Sequence, residues 1–550
     1  MDMEDLETIK RSALWAAYGD AVGFITELTD EDKLIWRAGL SRIETTVPWK
    51  RRVGGKFGVI VELPAGCYSD DTQLRLATSR AIRGDGKFDV EAFSKIEIPV
   101  WLSYALGAGK GSKAAAVSLS KRDISWINNF FEDNGCRYID NGGNGAAMRI
   151  QPHIWASVDR NNIKTFLPDV IKNAICTHGH PRGILGAVFH ALSLSNAIQK
   201  GIPPGPNEWK DFVVQFDYVA EFIRSDKELN DFWLPTWEKL TGQQIENTFK
   251  KVTEECLKDI ELAQQLANEK PMNQYDKLVR DSGGMEEQFR GSGTKTAIFA
   301  SFLAWVFKDN PLEAIITSIN LLGSDTDTIA TMAGAILGAI AKENPPGEIC
   351  DKTYIEEEAS RLCAVSHGLK SKSFTYPDLL KWNVTSVQGN FVGTANNQLA
   401  ISGFGYVKPS GKLYEQKGKN AAVWQWLELS FGQHILAKRS SKSIKIPITN
   451  IPLQNEKNKV GNNLTEGVQE SLFDKSREKR LQHDNTQKHT LTIDEATKKV
   501  INLGFDTSTI GSMLIEFSER EDGIELAIGF SSIIAKALRA RAEREKRQKP

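Results

Sequence analysis

Two stretches far apart in the chain carry the same set of oxygen ligands. Tyr68-Ser69-Asp70-Asp71-Thr72-Gln73 and Gly323-Ser324-Asp325-Thr326-Asp327-Thr328 each place hydroxyls and two acids where a helical pattern begins. Carboxylate and hydroxyl oxygens with no Cys or His beside them suit a hard divalent cation such as Mg²⁺ or Mn²⁺ and argue against zinc. One such cluster alone has a plainer explanation, because Asp, Ser and Thr are common helix caps. Two clusters of one kind can face a single pair of ions. Glu27 follows a run in which Asp20, Gly23 and Glu27 fall on one side, so this acid can look into the same cavity; a solvent-facing Glu near a helix end is the bland alternative.

The elements that must position these residues are mostly helical. Between Ile9 and Glu27, Leu14, Ala17, Tyr18, Ala21, Val22 and Ile25 recur at helical spacing, while Gly19 and Gly23 weaken the helix unless close packing or a ligand requires them. Ile329 to Gly338 is too apolar for a surface helix, and Ala330, Gly334 and Gly338 at i, i+4 and i+8 give it one flat face for close packing. The run after Asp71 predicts a helix through Leu74, Leu76 and Ala77 to about Ile82, stopped by Gly84-Asp85-Gly86. Two glycine-rich loops come next, one with Gly109 and Gly111, the other spanning Asn141 to Arg149 with Gly143, Asn144, Gly145, Ala146 and Met148. Their backbone N–H groups can hold phosphate, with Arg149 as a cation, or they are tight turns that need glycine. In Thr177-His178-Gly179-His180-Pro181 the two histidines do not share a helix face, which favours a cap plus one hydrogen-bond donor over a shared metal. Residues 50–64 read as irregular, and no strand period is convincing before about Leu369.

A chain of 550 residues exceeds what one core usually organises. The expected division is a helical body over 1–372, a small β module over 373–438, a flexible linker over 439–490 and a helical C-terminal region over 491–550 that opens on the capping box Thr492 to Glu495. The fold class is therefore mainly α. Trp424-Gln425-Trp426 and Phe431 to His434 can instead pack the β module directly on the helical body. The formal net charge of −1 gives no global bias toward nucleic acid or acidic membranes, although the basic end from Lys536 to Lys549 can bind a macromolecular partner or be a solvated helix end. Six scattered cysteines read as reduced thiols, Met1 to Lys10 lacks the apolar stretch of a signal peptide, and the most apolar run falls short of the roughly 20 residues needed to span a bilayer. A cytoplasmic protein with no membrane segment is expected.

In this order the motifs resemble the ADP-ribosylglycohydrolases over roughly residues 9–345. The match rests on Gly19-Asp20-Ala21-Val22-Gly23 with Glu27, on both acid clusters, on Gly143 to Arg149, and on Thr177 to Pro181. The resemblance implies an all-α orthogonal bundle with two Mg²⁺ ions, or Mn²⁺, at the bottom of a cleft. Ser69, Asp70, Asp71, Asp325, Asp327 and Thr328 match the family's ligands, Ser69 standing where many members have Thr. The glycine loops, with Met148, Arg149 and His178, would bind the substrate, and the general base stays open between Glu27 and Asp71. The implied activity is removal of ADP-ribose from a modified protein, small molecule or nucleic acid by cleavage at the anomeric carbon of the distal ribose. Two other readings remain: an ADP-ribose-binding protein of the same fold without catalysis, and a metal hydrolase acting on nucleotide pyrophosphates.

Overall fold

A computed structural model of the chain describes residues 2–133, 135–267, 271–383, 385, 387–418, 421–452, 491–520 and 523–547. Its centre is an antiparallel pair of buried helices, Met3–Thr26 and Thr326–Ile340. Glycines set their separation. A methyl group on Gly19 would lie 2.3 Å from the Ala330 carbonyl oxygen, one on Gly23 2.5 Å from the Asp327 Cα, and one on Gly334 2.3 Å from the Trp15 carbonyl oxygen. Backbone therefore meets backbone along the pair, and the flat face expected at Ala330, Gly334 and Gly338 is the contact surface. Ser12 Oγ donates to the Ala335 carbonyl and Thr331 Oγ1 to the Ala16 carbonyl, each at 2.7 Å, so the buried hydroxyls in this seam are satisfied. The antiparallel sense has a functional consequence: the end of the first helix, capped by Glu27, lies beside the start of the second at Asp325 and Asp327.

Helices Pro181–Lys200, Gly293–Val306 and Lys352–Ser366 pack around this pair, and Trp101, Trp126, Trp209, Trp233 and Trp237 are fully buried in the surrounding helical body. No helix among the described residues is long and apolar enough to cross a membrane.

Residues expected to be irregular form a β-hairpin. Strands β1 (Trp49–Val53) and β2 (Val59–Leu63) pair antiparallel from Trp49 opposite Leu63 to Val53 opposite Val59. Their alternation is real, with Trp49 and Val53 buried while Lys50 and Arg52 are exposed, but it spans only five residues per strand and Gly54, Gly55 and Gly58 dominate the segment by eye. A two-residue ladder joins β3 (Glu132–Asp133) to β4 (Cys136–Arg137).

The β module is a five-stranded antiparallel meander: β5 (Val392–Ala395), β6 (Gln398–Ile401), β7 (Gly405–Gln416), β8 (Ala422–Leu429) and β9 (His434–Ser440), neighbours in that order. Asn396 and Asn397, both at positive φ, make the tight β5–β6 turn that asparagine tolerates best after glycine. A single 3₁₀ turn, Gln388–Asn390, precedes β5. The sheet lies in the same compact unit as the helices, residues 1–455, and Trp424 and Leu436 share a cluster with Trp49, Val53 and Val61 of the hairpin. Packed chain also continues past the expected end of the module at 438, since Ile446 and Ile451 bury against Ala395 and Ala400. The rest of the expected linker, 453–490, lies outside the described residues.

Residues 456–550 form the other unit. Its helices Ile493–Asn502, Thr507–Ser518 and Gly523–Arg547 close a small core of Ala496, Val500, Met513, Phe517, Phe530 and Ile534. Thr492 and Glu495 form the capping box reciprocally. Most side chains of the basic end, Lys536 to Lys549, fall outside what the structure describes.

Candidate active site

Three helix termini supply the acids. Ser69 caps the helix Asp70–Ala81, and the first helix reaches across to help: Asp20 Oδ1 accepts from the Ser69 N–H at 2.9 Å and Oδ2 from the Thr72 N–H at 2.8 Å. Both oxygens of this buried carboxylate are thus committed to backbone donors that the helix itself leaves free. Asp71 differs. Its Oδ2 accepts from Ser69 Oγ at 2.9 Å and Thr328 Oγ1 at 3.4 Å, while its Oδ1 is buried with no hydrogen-bond partner.

Asp325 Oδ2 accepts from Asn144 Nδ2 at 2.8 Å, and a Cβ on Gly291 would lie 2.8 Å from the same oxygen, so the loop before the Gly293–Val306 helix must carry glycine there. Asp327 opens the Thr326–Ile340 helix and accepts from the Thr328 N–H at 3.0 Å. Gly107, at φ 85°, allows close approach to Asp70, whose Oδ1 would stand 3.0 Å from an added Cβ. Asp20, Asp71 and Asp327 each place one carboxylate oxygen within 4.8 Å of the others.

Glu27 does not face solvent. It is 7% exposed and accepts from Arg51 Nη2 of β1 at 2.9 Å, while Arg37 Nη1 holds the Glu27 and Ile25 carbonyls, both at 2.8 Å. The next residue, Leu28, takes a left-handed φ of 48°, turning the chain sharply away.

Crowding of buried acids fixes the electrostatics. Burial pushes the Asp70, Asp71 and Asp327 carboxyls well above the usual carboxylate range, and neighbouring acids push them further: Glu27 and Asp20 on Asp70; Asp20, Asp70 and Asp325 on Asp71; Glu27, Asp71 and Asp325 on Asp327. Burial also raises Glu27, an effect offset in part by Arg51 and reinforced by Asp325. Acids outnumber cations here, Glu27, Asp70, Asp71, Asp325 and Asp327 against Lys110 and Arg290. The oxygen-only donor set, the unpartnered Asp71 Oδ1 and the raised carboxyls all fit a hard divalent cation.

One cavity of about 400 Å³ gathers most of the residues singled out from the sequence. Glu27, Asp70, Asp71, Asp325, Asp327 and Thr328 line one part of it; Gly109, Gly111, Gly143, Asn144, Gly145, Met148 and His178 line the rest. The two glycine loops meet here, since a Cβ on Gly145 would lie 2.7 Å from Ser112 Oγ and one on Gly111 2.2 Å from the Asn141 side-chain oxygen.

Three residues do not line the cavity. Ser69 and Ala146 are buried behind it, the former reaching it only through its bond to Asp71. Arg149 is fully buried and donates to the Asn173 side chain and carbonyl, the Gly145 carbonyl and Thr177 Oγ1, so it props the loop from beneath instead of meeting a phosphate. The cations that do reach the cavity are Lys110 and Arg290, both exposed and neither marked by any motif.

The histidines divide as the sequence suggested. His180 Nδ1 caps the Pro181–Lys200 helix by accepting from the Arg182 N–H at 3.1 Å. His178 is buried with Nδ1 paired to Thr177 Oγ1 at 2.7 Å, and burial lowers its pKa to about 3, leaving a neutral ring against Gly145. Asp20 as a cross-helix cap was the functional role not foreseen, because its partners lie some fifty positions downstream and leave no local pattern.

The sequence profile described as ADP-ribosylglycohydrolase matches residues 3–369, which hold every residue of this cavity and end before the five-stranded sheet. The ADP-ribosylhydrolase ARH3 of Bos taurus is 25% identical over 371 residues, covering 65% of this chain and 92% of its own. ARH3 of Xenopus tropicalis is 30% identical over 287 residues, covering 50% of this chain and 73% of its own. The ADP-ribosyl-[dinitrogen reductase] glycohydrolase of Rhodospirillum rubrum is 27% identical over 187 residues, 32% of this chain and 55% of its own. A solved chain titled ADP-ribosylglycohydrolase-related protein complex aligns with 66% of this chain and 99% of its own at 18% identity and a TM-score of 0.40. With two thirds of its length matched to one family, and that family's span enclosing the acid-lined cavity, the chain belongs to the ADP-ribosylglycohydrolase family of hydrolases.

Proposed function

We propose that the protein removes ADP-ribose from a modified acceptor by hydrolysing the bond at the anomeric carbon of the distal ribose. The observation that supports this most is the acid cluster itself: four aspartates and Glu27 converge on one cavity, with a buried Asp71 oxygen that no protein group satisfies. Two Mg²⁺ ions, with Mn²⁺ as the alternative, fit this donor set; Asp70, Asp71, Asp325, Asp327 and Thr328 would hold them, and Ser69, behind the cavity, would act through its bond to Asp71. Two divalent charges balance the four aspartates. When bound, such ions supply a Lewis acid that orients the ribose hydroxyls and lowers the pKa of a water.

The chain's own groups do the remaining work. Backbone N–H groups of the Gly107–Ser112 loop and of Gly143 and Gly145, with Lys110 and Arg290 at the cavity wall, offer a cradle for the pyrophosphate, while the Asn141, Gly142 and Asn144 N–H groups are held by the Tyr138, Asp140 and Gly291 carbonyls. Neutral His178 offers its second ring nitrogen without adding charge. Glu27, oriented by Arg51 and made more basic by burial, is suited to take a proton from water. Asp71 is the weaker choice as base, since Ser69 and Thr328 occupy one of its oxygens and the other is the natural cation ligand.

The test is product analysis by mass spectrometry after incubation with ADP-ribosyl-arginine and -serine peptides, an ADP-ribosyl ester and an ADP-ribosylated oligonucleotide. Free ADP-ribose from one of them is expected. AMP as the product, or ADP-ribose bound without turnover of any substrate, overturns the reading.

A further inference from the structure

A second cavity of about 570 Å³ opens on the other side of Glu27. It shares Glu27, Leu28, Gly107 and Ala108 with the acid-lined cavity, so the two adjoin at the proposed base. One wall is β1 with Arg51, Arg52 and the Gly54–Gly55 turn; another is Lys113 and Val117 of the Lys110–Leu119 helix. The third comes from the C-terminal sheet, outside the family-matched span: Gln388, Trp424 and Lys438.

The sheet wall is fixed to the helical body. The Lys438 N–H donates to the Ser103 carbonyl at 2.6 Å, and the Gln388 amide donates to the Leu102 carbonyl.

The charge here is opposite to that of the neighbouring cavity. Four cations line it and Glu27, already paired to Arg51, is its one acid. Among the described residues no carboxylate lies within salt-bridge distance of Arg52, Lys113 or Lys438, although Lys438 is half-buried and its ammonium is pushed down by burial. The Lys438 ammonium donates to the neutral Gln388 side-chain oxygen at 3.5 Å, and a partly desolvated cation without a carboxylate is costly to keep unless an anion meets it. The floor is apolar, with Leu102, Ala105 and Leu106. The one aromatic ring, Trp424, is only 4% exposed, is bonded through Nε1 to Gln416, and has Lys438 Nζ 5.7 Å from its centre, so no stacking platform of the kind that binds unpaired bases is offered.

We propose that this groove binds the acceptor side of the substrate, and that its occupant is a polypeptide segment with acidic residues flanking the ADP-ribosylated position. The assignment rests on the hydrolase reading above. In it, ADP-ribose occupies the acid-lined cavity, the scissile bond passes Glu27, and the peptide leaves along the groove. The β-sheet appended to the family domain is thus a specificity element, with Lys438, Arg52 and Lys113 reading negative charge.

The experiment uses the full chain and two peptides with the same ADP-ribosyl linkage, one flanked by Asp and Glu, the other by Ser and Gly. Wild type, Lys438→Glu and Arg52→Glu are compared by kcat/KM on each peptide, and by fluorescence polarisation on the unmodified acidic peptide and on a single-stranded oligonucleotide of equal charge. Wild type should prefer the acidic-flanked peptide, and each reversal should lower that preference about tenfold or more while the melting temperature holds. Arg52 sits on the exposed hairpin, so its variant reads the groove even where Lys438→Glu perturbs the sheet. The same peptide preference in all three proteins overturns the proposal, as does an oligonucleotide that binds more tightly than the peptide and is lost with the same variants. Absence of ADP-ribose release from either peptide by wild type counts against hydrolysis of that peptide linkage instead, and binding of the unmodified peptide then still decides the groove.

Discussion

The two cavities that meet at Glu27 are built by different means. Around the acids, position is set by main chain: glycines press the first helix against Thr326–Ile340, and Asp20 reaches from one helix to cap another. Around the basic groove, side chains carry more of the fastening: beside one main-chain bond from Lys438 to Ser103, the Gln388 amide holds the sheet to the Leu102 carbonyl of the helical body, and the Tyr414 hydroxyl ties it to the hairpin by accepting from the Glu62 N–H at 3.3 Å. Main-chain contacts leave little room to move, which suits groups that must hold fixed geometry during chemistry. Side-chain attachments can change residue by residue, which suits a surface that chooses among acceptors.

The comparison breaks most severely at the helix seam. Gly334→Ala places a methyl group 2.3 Å from the Trp15 carbonyl oxygen with backbone, not a flexible side chain, in the way. Forced separation of the pair should cost about 3 kcal/mol or more, at or beyond the upper end for overpacking, and should disperse the acids at the helix ends. Urea denaturation reads the stability and ADP-ribose release reads the site. A midpoint unchanged from wild type means the seam is softer than its contacts indicate.

Next in size are two aspartates of the same cluster with opposite expected effects. Asp71→Asn removes an acid whose neighbours repel it, so without metal the variant should melt at or above the wild-type temperature, yet it should show no stabilisation by Mg²⁺ and no turnover. Asp20→Asn leaves an amide nitrogen facing a backbone N–H and should cost about 1–2 kcal/mol with or without metal. Chelator should lower the wild-type melting temperature and Mg²⁺ restore it. If Asp71→Asn is as destabilising as Asp20→Asn in chelator, Asp71 is structural and the cation reading fails.

How much of this was legible follows the same division. The acid clusters, Glu27 and the small-residue stripe show in the sequence because each is a local pattern of residue types, and the structure brings them into one place. Asp20 and Arg149 are harder to read, since their partners, the N–H groups of Ser69 and Thr72 for one and Asn173 for the other, come from distant turns and carry no signature. Strand β7 is masked by Pro409 and Gly411, which normally argue against a strand; the register shifts between Pro409 and Leu413, where a bulge accommodates them. The basic groove is invisible for a simpler reason. Its cations, at 51, 52, 113 and 438, belong to three segments that only the folded chain brings together.

The smallest expected effect tests how the sheet is tied to the catalytic helices. Gln433, in the β8–β9 turn, accepts from Arg80 Nη1 at 2.9 Å and donates to the Tyr68 hydroxyl at 3.3 Å, one residue before the Ser69 cap. Arg80 is fully buried and keeps its paired bonds to Glu97 Oε1 and Oε2, both at 2.8 Å, and Tyr68 keeps Asp351 Oδ2 at 2.5 Å, so Gln433→Ala strands no charge. The loss should therefore be about 1 kcal/mol, the net worth of ordinary hydrogen bonds. Its distribution is the informative part. If the sheet serves acceptor choice and the helix ends serve chemistry, Gln433→Ala should alter kcat/KM on an ADP-ribosylated peptide more than it alters the Mg²⁺ concentration needed for half-maximal turnover, because the acids are anchored through Asp20 and the glycine seam and not through Tyr68. An equal or larger change in the Mg²⁺ requirement means that the sheet also sets the geometry of Asp70 and Asp71, and the separation between the two regions does not hold.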